Sequence, residues 1–178
     1  MAKLLYVDNS NVWIEGKHVA AAAAGMASSV WEAVQNNICD NSWAIDFGKL
    51  FQLAGGQKSD VRRAVLFGSK PTEKDSLWAA AKKGGFEVIT YDRNARNTEK
   101  KVDTDIVTNM LADSYEIYQP GDEITLVAGD GDYVPAIERL KKRGIHVNVV
   151  FWSHASRELK SVASTFFPLD THLTHLKR

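Results

Sequence analysis

Three short stretches of this chain place carboxylates where chemistry could use them: Val7-Asp8-Asn9-Ser10-Asn11, Val102-Asp103-Thr104-Asp105 and Gly129-Asp130-Gly131-Asp132. Two carboxylates about 4 Å apart repel by roughly 4 kcal/mol at an effective dielectric of about 20. Acids gathered that closely must take up protons or hold a cation. Oxygen ligands with no His or Cys partner suit Mg²⁺ or Mn²⁺ better than Zn²⁺. A carboxylate-held Mg²⁺ with open positions serves phosphoryl chemistry by activating water and neutralising charge on the phosphate. The plainer reading is that each Asp before a helix is an N-cap, worth about 1 kcal/mol. Asp103 and Asp132 both qualify as caps. The glycines flanking Asp130 favour a site, because a tight turn that brings backbone close to a ligand needs glycine.

The elements around these acids must bring them together. Leu4–Val7, Ala64–Phe67, Phe86–Tyr91, Ile124–Ala128 and Val147–Phe151 are short apolar runs bounded by Gly, Asp or Asn. Such runs suit strands buried on both faces of a parallel sheet. Helix-like segments alternate with them at Thr72–Lys83, Thr104–Tyr118, Tyr133–Arg143 and Ser156–Ser164, most with glycine or proline stops. The pattern predicts a single α/β domain over 1–178, with a mostly parallel sheet of about five strands and helices on both faces. In such sheets ligands collect beyond the carboxyl ends of the strands. Asp8 and Asp130 end the first and fourth predicted strands, and Asp103 follows the third after a polar loop. Residues of about 18–42 are long for a strand-to-helix connection. They are read as a helical insertion beside the sheet.

On these residues the chain resembles an NYN domain of the LabA-like group, within the PIN-like nuclease superfamily. The likeness rests on Tyr6–Asn11, Lys101–Ile106 and Val127–Pro135. It continues through Ala44–Leu50 and Ile137–Val149, covering about residues 3–169. It implies a Rossmannoid PIN-like fold and a Mg²⁺- or Mn²⁺-dependent ribonuclease that leaves a 5′-phosphate and a 3′-hydroxyl. By position, Asp8, Asp103, Asp130 and Asp132 would be the catalytic, metal-binding acids, with Asp105 an additional metal ligand. Asn11 would orient the first acid or touch substrate. The chain departs from the family at Asn109 and Ser164, where many members carry an acid. A thinner acid set motivates a second expectation, a non-catalytic RNA-binding or regulatory module that keeps the pocket. A von Willebrand A-type adhesion loop is disfavoured because Asn11 replaces its last serine. A haloacid dehalogenase-type phosphatase is disfavoured because Ser10 stands where a second Asp is required.

For RNA contact, the loop from Asp92 to Lys101 offers Arg93, Arg96, Lys100 and Lys101 for backbone phosphates. Trp13 is a candidate for base stacking. Trp31, Trp43, Trp78 and Trp152 are read as packing residues, and His154 as a surface histidine near the site edge.

Composition bounds these readings. The 178 residues carry 22 Lys+Arg against 22 Asp+Glu, a net charge of +0, so nucleic acid is not held by bulk positive charge. The lone Cys39 excludes an internal disulfide and a multi-cysteine metal site, and fits a reducing, cytoplasmic setting. The run at Leu4–Val7 is too short for a signal-peptide core, and no apolar stretch approaches the roughly 18 residues of a membrane span. No membrane partner is expected; a homo-oligomer is compatible with the sequence.

Overall fold

The computed structural model describes residues 1–70, 75–92 and 98–178. Six strands form one sheet among these residues: β1 (Lys3–Asp8), β2 (Val61–Lys70), β3 (Glu87–Asp92), β4 (Glu123–Val127), β5 (His146–Phe151) and β6 (Thr165–Pro168). Every pairing is parallel, in the order β3-β2-β1-β4-β5-β6. The helices are α1 (Asn9–Ala23), α2 (Val30–Gln35), α3 (Phe47–Gly55), α4 (Asp75–Lys83), α5 (Thr98–Glu116), α6 (Val134–Lys142), α7 (Arg157–Val162) and α8 (Leu173–Leu176).

Strand periodicity builds two cores. Along β1, Leu5 and Val7 face a core shared with α1, α3, α4 and α8. Leu4 and Tyr6 face the opposite core, shared with α5, α6 and α7. Successive side chains alternate across a strand, so a fully buried strand must be apolar at nearly every position. Within the run Leu4–Val7, Tyr6 is the polar exception, and it is used. The buried Asp113 accepts hydrogen bonds from Tyr6 Oη at 2.5 Å and Arg63 Nη1 at 2.6 Å, pinning α5 against β1 and β2.

The chain winds from β1 outward to β3, then returns through α5 to lay β4 on the other side of β1. That reversal opens a crevice at the carboxyl ends of β1 and β4, the place where open α/β sheets bind ligands. Asp8 ends β1, and Gly129-Asp130 follows β4.

Several expectations change in detail. The sheet has one strand more than the apolar runs mark, because β6 is a short edge strand with mostly exposed side chains. The polar segment before Asp103 is partly helical: α5 begins at Thr98, so Asp103 is a helix-interior residue and not a cap. The segment of about 18–42 comprises the end of α1, a turn, α2 and a loop.

Candidate active site

Asp8 is the N-cap of α1. Its Oδ1 accepts from Asn11 N at 3.1 Å and from Ser10 Oγ at 3.0 Å. The capping reading is therefore correct locally. It does not exhaust the residue, because Asp8 is only 4% exposed and its other oxygen points elsewhere. Tyr133 Oη donates to Asp8 Oδ2 at 3.1 Å and stands 2.9 Å from Asp103 Oδ1. Asp103 reaches this hydroxyl from the buried side of α5, next to Val102 and Ile106.

A phenol has one proton to donate, so it cannot satisfy two ionised carboxylates at once. The arrangement closes when one of the two acids is protonated. Burial pushes Asp8 above the usual carboxylate range; the bonds from Asn11, Ser10 and Tyr133 oppose this, and the charge of Asp130 adds to it. Burial also drives Asp103 up to about 6; the Tyr133 bond opposes this, and the charges of Asp8, Asp130 and Asp132 reinforce it. Tyr133 itself is held far above the normal phenol range by burial and then by the two acids.

Asp130 caps a 3₁₀ turn over Gly131–Tyr133, accepting from Asp132 N at 3.1 Å. The same turn thus presents Asp130 and inserts Tyr133. A cleft of about 250 Å³ opens here, lined by Asp8, Asp103 and Asp130 with Ser10, Asn11, Ile14 and Glu15. Asn11 joins the two acid-bearing turns: its backbone N–H serves Asp8, while its Oδ1 accepts from Gly129 N at 2.8 Å. Asn11→Ala would leave the Gly129 N–H unpaired and is expected to cost about 1–3 kcal/mol. Urea unfolding of the variant checks this; an unchanged midpoint would contradict it.

Gly129 is required for a reason other than ligand approach. A Cβ there would run into the Phe151 ring.

The remaining candidates are distributed as helical geometry dictates. Asp105 lies two residues beyond Asp103, about 200° around the helix. It bonds to Tyr91 and to Asn109 Nδ2 (3.2 Å), so the structure does not bring it to the cleft. Asp132 is exposed and bears on Asp103 through its charge. Trp13 packs half-buried against the core with Lys17 Nζ 4.8 Å from its ring centroid, and it does not line the cleft. Arg93 and Arg96 lie outside the described residues, as does the side chain of Lys100. Lys101 is exposed in the first turns of α5, two residues before Asp103. Ser164 bonds to the backbone of Val147 near the amino end of β5, the edge opposite the acids. Neither of the family departures, Asn109 or Ser164, lies in the cleft.

Sequence reasoning missed the Tyr133 bridge and Glu15. Tyr133 is adjacent to an acid motif, but nothing in its spacing signals that one hydroxyl spans two acids. Glu15 follows Asn11 by one helical turn, which places it on the same face.

The donor chemistry suits a hard divalent cation. All the groups are oxygens, and both inner acids sit where their ionised forms need positive charge. Asp8 Oδ2 and Asp103 Oδ1 both lie within hydrogen-bond reach of the one Tyr133 hydroxyl. Among the described residues, however, no group of three or more His, Cys, Asp or Glu stands as a ready metal cage.

The six-stranded parallel sheet flanked by helices is a PIN-like fold. The chain belongs to the NYN domain family, which it matches over residues 9–170. No curated protein matches it. Among the described residues no helix is long and apolar enough to cross a membrane.

Proposed function

We propose that this chain is a ribonuclease of the LabA-like group that hydrolyses RNA phosphodiesters in the cytoplasm with Mg²⁺ or Mn²⁺. The observation that carries the reading is the buried Asp8 and the half-buried Asp103 sharing one Tyr133 hydroxyl at the sheet's switch point. Asp8, Asp103 and Asp130 would hold the ion, with Asp132 adding negative charge beside them. When bound, the cation supplies charge to the scissile phosphate and makes water acidic enough to attack near neutral pH. The chain's own groups prepare that event. Asn11 and Ser10 fix the Asp8 carboxylate, and Asn11 also locks the Asp130 turn at its distance. Tyr133 carries a proton between Asp8 and Asp103 in the metal-free protein. Water adds to phosphorus as the bond to the 3′-oxygen breaks, leaving a 5′-phosphate and a 3′-hydroxyl. Lys101, with Arg93, Arg96 and Lys100 before it in the chain, would meet backbone phosphates.

One observation favours the alternative of a non-catalytic RNA-binding module: among the described residues no three acids form a ready cage. Titration calorimetry separates the two. Measurable Mn²⁺ binding that Asp8→Asn abolishes supports the nuclease, whereas tight RNA binding without Mn²⁺ binding supports the module.

A further inference from the structure

We propose that Trp31 is a stacking platform that seats an unpaired nucleobase of single-stranded RNA at the rim of the acidic cleft. The inference rests on the ribonuclease reading and adds to it a residue that seats a base. Trp43, Trp78 and Trp152 are 2%, 6% and 0% exposed, as packing residues should be, but Trp31 is 62% exposed. An indole left in water forgoes the burial that normally fixes its place in a fold. Trp31 sits on α2, which Ser29 caps through a 3.1 Å bond from Glu32 N and which packs on α1.

Trp31 does not itself line the cleft, but His154 connects it to Glu15, which does. Its ring meets His154 edge-to-face, with centroids 6.1 Å apart and planes at 76°, so this contact is not a stack. His154 Nε2 lies 2.6 Å from Glu15 Oε2, and Glu15 lines the cleft beside Asp8 and Asp130. His154 also rests on the Phe151 ring, the one that fills the space beside Gly129. Trp31 is therefore tied to both acid-bearing turns through side chains that are themselves largely buried.

The chemistry selects the occupant. Every base has a π-face, so stacking on indole is tolerant of sequence. A base inside a duplex is already stacked on its neighbours and unavailable. The site also resolves a charge problem, since a chain of net charge +0 lacks a bulk electrostatic grip on RNA.

The test compares wild type, Trp31→Ala and Trp31→Phe in Mn²⁺, on a short unstructured RNA and on a fully paired duplex. Trp31→Ala is expected to raise KM on the unstructured RNA roughly five- to hundred-fold, with kcat within about two-fold. Trp31→Phe should restore most of the loss, and duplex kinetics should not change. Because the side chain is exposed, the melting temperature should hold, which separates a binding loss from misfolding. An unchanged KM for Trp31→Ala overturns the proposal while leaving the nuclease reading intact. So does an unchanged KM with loss of a dimer by light scattering, which would make Trp31 a self-association residue. A wild-type protein that cleaves no RNA overturns the nuclease reading, and this inference with it.

Discussion

Asp103→Asn is expected to abolish metal-assisted RNA cleavage and, at the same time, to stabilise the metal-free protein near neutral pH. The folded protein raises the Asp103 carboxyl from 3.8 to about 6. Between those values the native state binds more proton than the unfolded chain, so stability falls as pH rises through the window. Above about pH 6 the full penalty of an ionised, crowded Asp103 is present. An amide carries no such penalty and can still bond to Tyr133 Oη. Asp103 is only half-buried, so the shift is discounted for solvent screening, leaving a gain of about 1–2 kcal/mol. In a domain of this size that is roughly 2–8 °C in Tm. Thermal melts in chelator, at pH values on both sides of 6, check it. The gain should vanish under acid conditions, where wild-type Asp103 is already neutral. A variant less stable than wild type at every pH would show that Asp103 serves the fold and not a site.

The second large effect is stabilisation by the ion. Protons and a divalent cation compete for the same oxygens, so Mn²⁺ should raise Tm most above about pH 6, where Asp103 is ionised. The shift should shrink as pH falls through that value. At a concentration about a hundred times Kd the gain is about 2.7 kcal/mol, or roughly 5–10 °C. Asp8→Asn should lose most of it. A Tm shift that is indifferent to pH and survives in Asp8→Asn would place the metal elsewhere.

Both effects come from groups that the sequence partly exposes. The positions of Asp8 and Asp130 at the carboxyl edge of the sheet follow from apolar runs that lead into an acid, and parallel-sheet topology does the rest. The sequence pattern puts Asp103 just before a helix that starts at Thr104. In fact α5 starts at Thr98, and only the buried stripe of Val102, Ile106 and Met110 shows which way Asp103 must turn. Asp105 looked equivalent by type, yet two residues of helix rotate it toward Tyr91. The Tyr133 bridge and the exposure of Trp31 were not legible. Each depends on how a short turn or a six-residue helix lies against the sheet, which tertiary packing decides and periodicity does not encode. Trp13 and Trp31 differ in burial for that reason. The one on a long helix found the core, and the one on the short helix stayed in water. Both glycines beside Asp130 suggested ligand approach, whereas Gly129 is explained by the Phe151 ring.

The most direct measurement is RNA cleavage by the metal-stripped full chain, with 5′-labelled RNAs, before and after addition of Mg²⁺ or Mn²⁺. The expected result is no cleavage without metal, cleavage on addition, products ending in 5′-phosphate and 3′-hydroxyl, and no activity in Asp8→Asn or Asp130→Asn. Cleavage that persists in chelator or in Asp130→Asn, or a wild type inert toward structured and unstructured RNA alike, would contradict it.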